Sequence, residues 1–424
     1  MVKIKTLSNG IRLVTEDIPH VQSVSIGVWV RAGAVFEPAR SAGISHFIEH
    51  MLFKGTHKRS AKRIAEDVDR IGGHINAFTG KEATCYYLKT LGSNFSKGAD
   101  ILSDMFLSSR FDRVELDKER EVVCEEIKMV KDSPEEEISD LICEELFHGS
   151  PLAKSVLGTP SSLANVKPAT IRAYMRRHYT KAGLVLTAVG RIDEGEVCEE
   201  LERLFEATPQ GSPHDETIQP GFEPRFRAKE KDIEQSHICL ATKGVSLDDS
   251  RYYSMMLLNS VMGGNMSSRL FQALREQKGL AYAIYSANNS FRDTGYFDIY
   301  AAVSHKKVKK AVTAIMEQLM GLESEGVTED ELSMAKEQMK GHYIFSQESV
   351  NGRMFTAGKN CLLLGKTYTP QEVIEGIDSV TLDDIKEVSK LVSDPGSYSG
   401  AIIGRRRDMS KLITPRAAGA LAPA

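Results

Sequence analysis

Two short stretches of this chain answer each other: Phe111-Asp112-Arg113-Val114-Glu115-Leu116 and Val327-Thr328-Glu329-Asp330-Glu331-Leu332. Each sits at the same place in a longer pattern. In the first half a strand candidate over 83–91 precedes a helix over 96–107; in the second a strand over 295–303 precedes a helix over 306–322. Residues 11–16 and 21–31 alternate like strands, and 236–241 answers them. Such ordered repetition points to an ancient duplication. The expected fold class is therefore α+β, with two homologous units, each a largely antiparallel sheet with helices packed on it. The break falls where Thr208-Pro209-Gln210-Gly211-Ser212-Pro213 opens a polar, proline-bearing stretch. The expected organisation is a first domain over 1–207, a linker over 208–224, a second domain over 225–405 and a disordered tail over 406–424.

Within the first half, His46-Phe47-Ile48-Glu49-His50 carries the strongest chemical signal. Histidines four apart lie one above the other on a helix face, so both imidazoles can reach one metal ion. Glu49 lies within a turn of both, where a carboxylate can take the proton of a metal-bound water. The letters run in the reverse order of the common His-Glu-x-x-His zinc-peptidase signature. Five letters with three fixed also occur by chance on ordinary amphipathic helices. The surroundings favour a firm helix: Ser41 is the expected N-cap, Ile44, Phe47, Ile48, Met51 and Leu52 form an apolar face, and Gly55 is the expected stop. The second half has no His-x-x-Glu-His.

Composition narrows the setting. Apolar residues make up 41% and charged residues 26%, ordinary for a globular chain of 424 residues, a length that suits more than one domain. The net charge of −4 gives no reason to expect nucleic acid, and the triplet Arg405-Arg406-Arg407 reads as a solvated segment. No apolar run of about eighteen residues suggests a membrane span. Met1 to Leu7 reads as the start of a strand rather than as a secretion signal. The cysteines, Cys85, Cys124, Cys143, Cys198, Cys239 and Cys361, are scattered without a CxxC, which fits reduced thiols. A bacterial cytoplasm is the expected location, with an organellar matrix as the alternative.

Two histidines need at least one more ligand, because catalytic zinc takes three protein ligands and a water. The helix expected over 113–129 is rich in acids: Glu115, Asp117, Glu119, Glu121, Glu125 and Glu126. Glu119 and Glu126 share one face and Glu121 and Glu125 another, while Val122, Val123 and Ile127 turn part of the helix toward a core. For any single one of these acids a solvated surface is the commoner fate, and spacing alone does not choose among them.

The segment Gly43 to Thr56, reading GISHFIEHMLFKGT, strongly resembles the inverted-motif zinc peptidases, the pitrilysin and insulin-degrading enzyme superfamily, and especially the mitochondrial processing peptidase β-subunit and its bacterial relatives. Gly72-Gly73 with Asn76-Ala77 and Thr79 resembles the family's strand beside the active site. Ser268-Arg269-Leu270-Phe271, Leu274-Arg275-Glu276 and Gly279-Leu280-Ala281-Tyr282 resemble its C-terminal signature. The resemblance runs to about residue 405.

It implies a zinc-dependent endopeptidase with one zinc per chain, held by His46, His50 and Glu126. Glu49 is the implied general base, and Glu119 orients a ligand from outside the coordination sphere. Arg275 is implied to bind a substrate carbonyl and Tyr282 to hydrogen-bond the oxyanion. Asn76, Ala77 and Phe78 are expected on an exposed sheet edge, where an extended peptide can pair by main-chain hydrogen bonds. Gly72 and Gly73 serve equally well to end the preceding helix. Relatives enclose peptides with four such αβ domains, so the resemblance implies a homodimer or a pairing with a related subunit. A non-catalytic or partner-dependent subunit of a processing or assembly complex is the competing function.

Overall fold

The strands that build the centre of the first sheet are apolar almost without interruption. In β3 (Ser23–Val30) and β6 (Leu184–Gly190) all but the first residue of β3 are buried. Continuous burial of this kind requires cover on both faces of a sheet. The computed structural model describes residues 2–212 and 216–405, and it provides that cover. The remaining strands are β1 (Lys3–Thr6), β2 (Arg12–Asp17), β4 (His74–Thr79) and β5 (Thr84–Leu91). Their order is β1-β2-β6-β3-β5-β4, antiparallel except for the β2–β6 pair. The edge strand β4 alternates between exposed and half-buried residues, as an open edge with one packed face should.

Among the described residues the second sheet repeats the plan without a counterpart of β1. Its strands are β7 (Phe226–Glu230), β8 (Ser236–Lys243), β9 (Ala281–Ser290), β10 (Gly295–Val303) and β11 (Ser399–Gly404). They run β7-β11-β8-β10-β9, and again only one pair, here β7–β11, is parallel. The sequence reading of two like sheets with packed helices is the architecture observed. Among the described residues no helix is long and apolar enough to cross a membrane.

Contacts divide the chain differently from a cut near residue 207. The first unit contains Met1–Lys128, Lys154–Glu216 and Ile344–Pro370; the second contains Met129–Ala153, Thr217–Tyr343 and the chain from Gln371 on. One helix of each linear half thus serves the other half's sheet. In the first unit, helices α1 (Ile44–Leu52), α2 (Ala61–Arg70) and α3 (Phe95–Ser108) pack with Val24, Ile26, Val28 and Leu88 in one core. The opposite face is covered by the helix Val350–Leu364, whose Phe355 ring meets Trp29, Phe78 and Tyr87 edge-on. In the second unit the corresponding cover is α5 (Pro134–Leu146), which lies on β8 and β11 and buries Ile138, Ile142 and Leu146. The physical reason lies in the sheets, since each has two apolar faces and its own contiguous half supplies cover for one. The tail expected over 406–424 and residues 213–215 of the expected linker lie outside the described residues.

Candidate metal centre

Helix α1 starts later than its sequence suggested. Gly43, at φ 89° in the left-handed region, precedes Ile44, and Ser41 makes no cap. The amides that a cap would satisfy are taken by Glu37: Gly43 N–H donates to its Oε2 at 2.6 Å and Ser45 N–H to its Oε1 at 2.8 Å. Burial pushes the Glu37 carboxyl pKa up, and these two amides pull it back. A carboxylate at a helix N-terminus also suits the helix dipole. Ser45 is tied further by a 2.9 Å hydrogen bond between its hydroxyl and that of Tyr174. Ile44, Phe47, Ile48, Met51 and Leu52 are all within 1% of complete burial, as their spacing required. The helix ends at Leu52, and Gly55 follows with φ 110°. Glu37 escaped the sequence reading because it acts from six residues before Gly43, beyond the reach of ordinary capping patterns.

The anchored face presents His46, Glu49 and His50 together. The two imidazole rings stand with centroids 4.6 Å apart. Helix α4 (Arg113–Asp132) runs past them and adds two carboxylates. Glu126 Oε2 is 3.8 Å from His46 Nε2 and 3.6 Å from His50 Nε2. It is a buried acceptor with no hydrogen-bond partner among the described residues. Such an atom, facing two imidazole nitrogens, calls for a cation. Ligand atoms about 2.1 Å from a tetrahedral zinc would stand about 3.4 Å apart, so small movements suffice. His46, His50 and Glu126 form the group among the described residues whose ligand atoms all lie within 4.8 Å of one another.

Protonation favours ligation as well. Burial, with His50 adding to it, lowers the His46 pKa to about 4, so its ring is neutral near pH 7. The second ring is set by Glu119, whose Oε2 is 3.0 Å from His50 Nδ1. A carboxylate accepts, which places the proton on Nδ1 and leaves the Nε2 lone pair toward Glu126. Glu119 is 5% exposed, and its other oxygen contacts Lys54 Nζ at 2.6 Å. The remaining acids of α4 behave as surface groups: Glu115 pairs with Lys118, Asp117 with Arg120 and Glu125 with Lys128, while Glu121 is exposed. Val123 and Ile127 are in the core as expected, but Val122 is 44% exposed.

Glu49 is separate from the three ligand atoms. Its Oε2 accepts a hydrogen bond from the Thr79 hydroxyl on β4. Burial raises its pKa above the usual carboxylate range; the Thr79 bond and His50 oppose the shift, and Glu126 adds to it. An acid so shifted is better matched to accepting and returning a proton near neutrality. Thr79 stood in a motif that carried the family resemblance, but nothing in the sequence assigned it to Glu49. The same strand carries Asn76, Ala77 and Phe78 at the sheet edge. Asn76 Oδ1 accepts from Ala77 N–H at 2.8 Å, and Phe78 is 40% exposed, with its ring against Trp29 at 5.6 Å. Gly72, at φ 60°, donates its N–H to Asp69 O, and Gly73 donates to Val68 O, so the pair ends α2. Arg275 and Tyr282 belong to the second unit. There the Arg275 guanidinium lies 4.9 Å from the Phe271 ring centroid and 5.8 Å from that of Tyr282, which is 73% exposed.

Comparison with known proteins identifies the family of the chain. Residues 12–160 match the family described as Insulinase (Peptidase family M16), and residues 165–339 match the Peptidase M16 inactive domain. The zinc protease YmxG of Bacillus subtilis is 41% identical, covering 92% of this chain and 95% of its own length. A zinc protease of Streptomyces coelicolor is 34% identical, with 96% and 89% covered. Among solved structures, a peptidase M16 inactive domain from Pseudomonas fluorescens superposes with a TM-score of 0.90 at 17% identity, covering 96% of this chain and 98% of that one. A protease from Helicobacter pylori superposes at 0.85 with 21% identity, covering 95% and 99%. These two likenesses concern the fold; the relatives in sequence carry the family. The chain belongs to the insulinase family, peptidase family M16.

Proposed function

We propose that the protein is a zinc-dependent endopeptidase that cleaves peptides or unfolded segments bound as extended strands. The observation that carries this reading is the unpartnered Glu126 Oε2 facing two imidazole nitrogens, with Glu49 beside them and tied to the edge strand. His46, His50 and Glu126 hold the ion, and Glu119 keeps the His50 ring in its ligating tautomer. Bound zinc supplies the Lewis acid that acidifies a water and polarises the scissile carbonyl.

Glu49 receives the proton of the attacking water and returns it to the departing amine. Thr79 holds its carboxylate in place between those transfers. Asn76, Ala77 and Phe78 offer main chain to the substrate along β4, a mode that tolerates many sequences. Arg275 binds a substrate carbonyl and Tyr282 steadies the oxyanion, as the family resemblance implies. The same resemblance supports action as a dimer, with a second copy or a related subunit.

The test is cleavage of a quenched basic peptide by the purified chain and by Glu49→Gln, each assayed for bound zinc. We expect one zinc per chain in both and a loss of roughly a hundredfold or more in the variant, the scale of a lost general base. Equal activity in both would remove Glu49 from the mechanism. An inactive, zinc-loaded wild type would favour the competing reading, a partner-dependent or non-catalytic subunit.

A further inference from the structure

We propose that Lys54 is a positioning residue of the metal centre, acting through Glu119 on His50. The proposal rests on the reading of His46, His50 and Glu126 as the zinc ligands. Lys54 lies four residues after His50, just beyond the end of α1, and its Nζ is 2.6 Å from Glu119 Oε1. The other oxygen of the same carboxylate is 3.0 Å from His50 Nδ1. One buried carboxylate thus joins a cation on the α1 segment to a ligand on α1, and it does so from α4, the helix that also brings Glu126.

An exposed ion pair in this position would contribute little. Glu119 is not exposed: its side chain keeps 7% of its surface, and Lys54 keeps 31%. A buried carboxylate without its counter-ion is strongly disfavoured. Charge balance adds a second argument. Glu49, Glu119 and Glu126 bring three negative charges to this region, and a divalent ion leaves one uncompensated. Apart from the histidines, Lys54 is the only basic side chain in ion-pair contact with any of the three among the described residues. Removing its ammonium leaves Glu119 free to turn from His50, and the ligand ring loses its orientation. Partners of this kind typically change metal affinity by roughly 10- to 100-fold.

The experiment measures zinc affinity at fixed pH by competition with a chromogenic chelator. The proteins are full-length wild type, Lys54→Met, Lys54→Arg, Glu119→Gln, the double variant Lys54→Met/Glu119→Gln, and Glu126→Gln as reference. We expect Lys54→Met to weaken zinc binding roughly 10- to 100-fold and Lys54→Arg to recover most of it. In the Glu119→Gln background, Lys54→Met should change little, because its route to His50 is already cut. Wild-type affinity in Lys54→Met overturns the proposal, and so does an undiminished loss in the Glu119→Gln background. Tight wild-type binding abolished by Glu126→Gln keeps the metal assignment standing in either case. A wild type that binds no zinc overturns both.

Discussion

Helix α1 and the helix Tyr252–Met262 hold the same place in two similar sheets. One comes between β3 and β4, the other between β8 and β9, and each bears on an edge strand. Both bury an apolar stripe: Ile44, Phe47, Ile48 and Met51 in the first, Met255, Leu257, Leu258 and Met262 in the second. Each also reaches its edge strand through a polar pair. In the first unit the Thr79 hydroxyl donates to Glu49; in the second the Ser286 hydroxyl donates to Asn259 Oδ1 at 2.7 Å. The fold therefore keeps a helix-to-edge hydrogen bond in both places. What distinguishes the units is the chemistry on that scaffold: a carboxylate flanked by imidazoles in one, a neutral amide in the other. A catalytic zinc centre needs three donors in addition to the shared frame.

The sharpest way to break this contrast is to add or remove zinc. The single tryptophan, Trp29, is buried in the first unit, so its emission reports that unit alone. Zinc at about a thousandfold above its Kd should stabilise the first unit by about 4 kcal/mol. Chelation should abolish peptide cleavage together with that gain. Hydrogen exchange should show added protection in α1, α4 and the first sheet and none in β8 to β10. Equal protection of both sheets would mean that the units respond as one.

The second unit carries its own buried acid, with an effect up to the same size but opposite in kind. Asp298 on β10 is 9% exposed, accepts from Asn289 Nδ2 at 2.7 Å, and has Cys239 Sγ at 3.9 Å. Burial pushes its pKa up to about 7, against 3.8 for the ordinary group, and the two hydrogen bonds resist the shift. Between those values the folded state binds the proton that the unfolded chain has released. Stability therefore falls as the pH rises from about 4 to about 7, by at most about 4 kcal/mol. Asp298→Asn keeps the bond from Asn289 and should flatten that slope, leaving the variant the more stable protein above pH 7. Parallel pH profiles for the two proteins would show that Asp298 is ionised in the fold.

Much of this was legible in the sequence because it is local. The strands over 84–91, 236–243 and 295–303, the apolar face of α1 and the acid-rich α4 follow from periodicity within one element. His46 and His50 meet because four residues make about one turn. What the sequence withheld is long-range. Glu126 could not be told from Glu125 by spacing; the fold separates them by turning one toward the histidines and leaving the other to Lys128 on the surface. Thr79 reaches Glu49 only because β4 forms the edge beside α1. Nothing along the chain says which sheet the helices Pro134–Leu146 and Val350–Leu364 will cover.

That exchange of covering helices can be tested with glycines, where the expected effects are smaller and differ in sign. Gly358 lies in the helix Val350–Leu364, and a Cβ there would stand 2.1 Å from Trp29 Nε1. Trp29 is locked by the surrounding strands and by Phe355, so it has little room to yield. Gly358→Ala gains helix propensity but overpacks a closed contact, and it should destabilise the first unit by about 1–3 kcal/mol, with a shift in Trp29 emission. Gly321 lies in the helix Val308–Ser324 of the second unit, with nothing within 4 Å of its Cβ position. There only the backbone term remains, and Gly321→Ala should stabilise by about 0.5–1 kcal/mol without touching the tryptophan signal. Urea unfolding followed by Trp29 emission and by circular dichroism separates the two effects. A Gly358→Ala protein with wild-type stability and unchanged emission would mean that the 350–364 helix does not seal the first sheet, and the division of the chain into these two units would have to be redrawn.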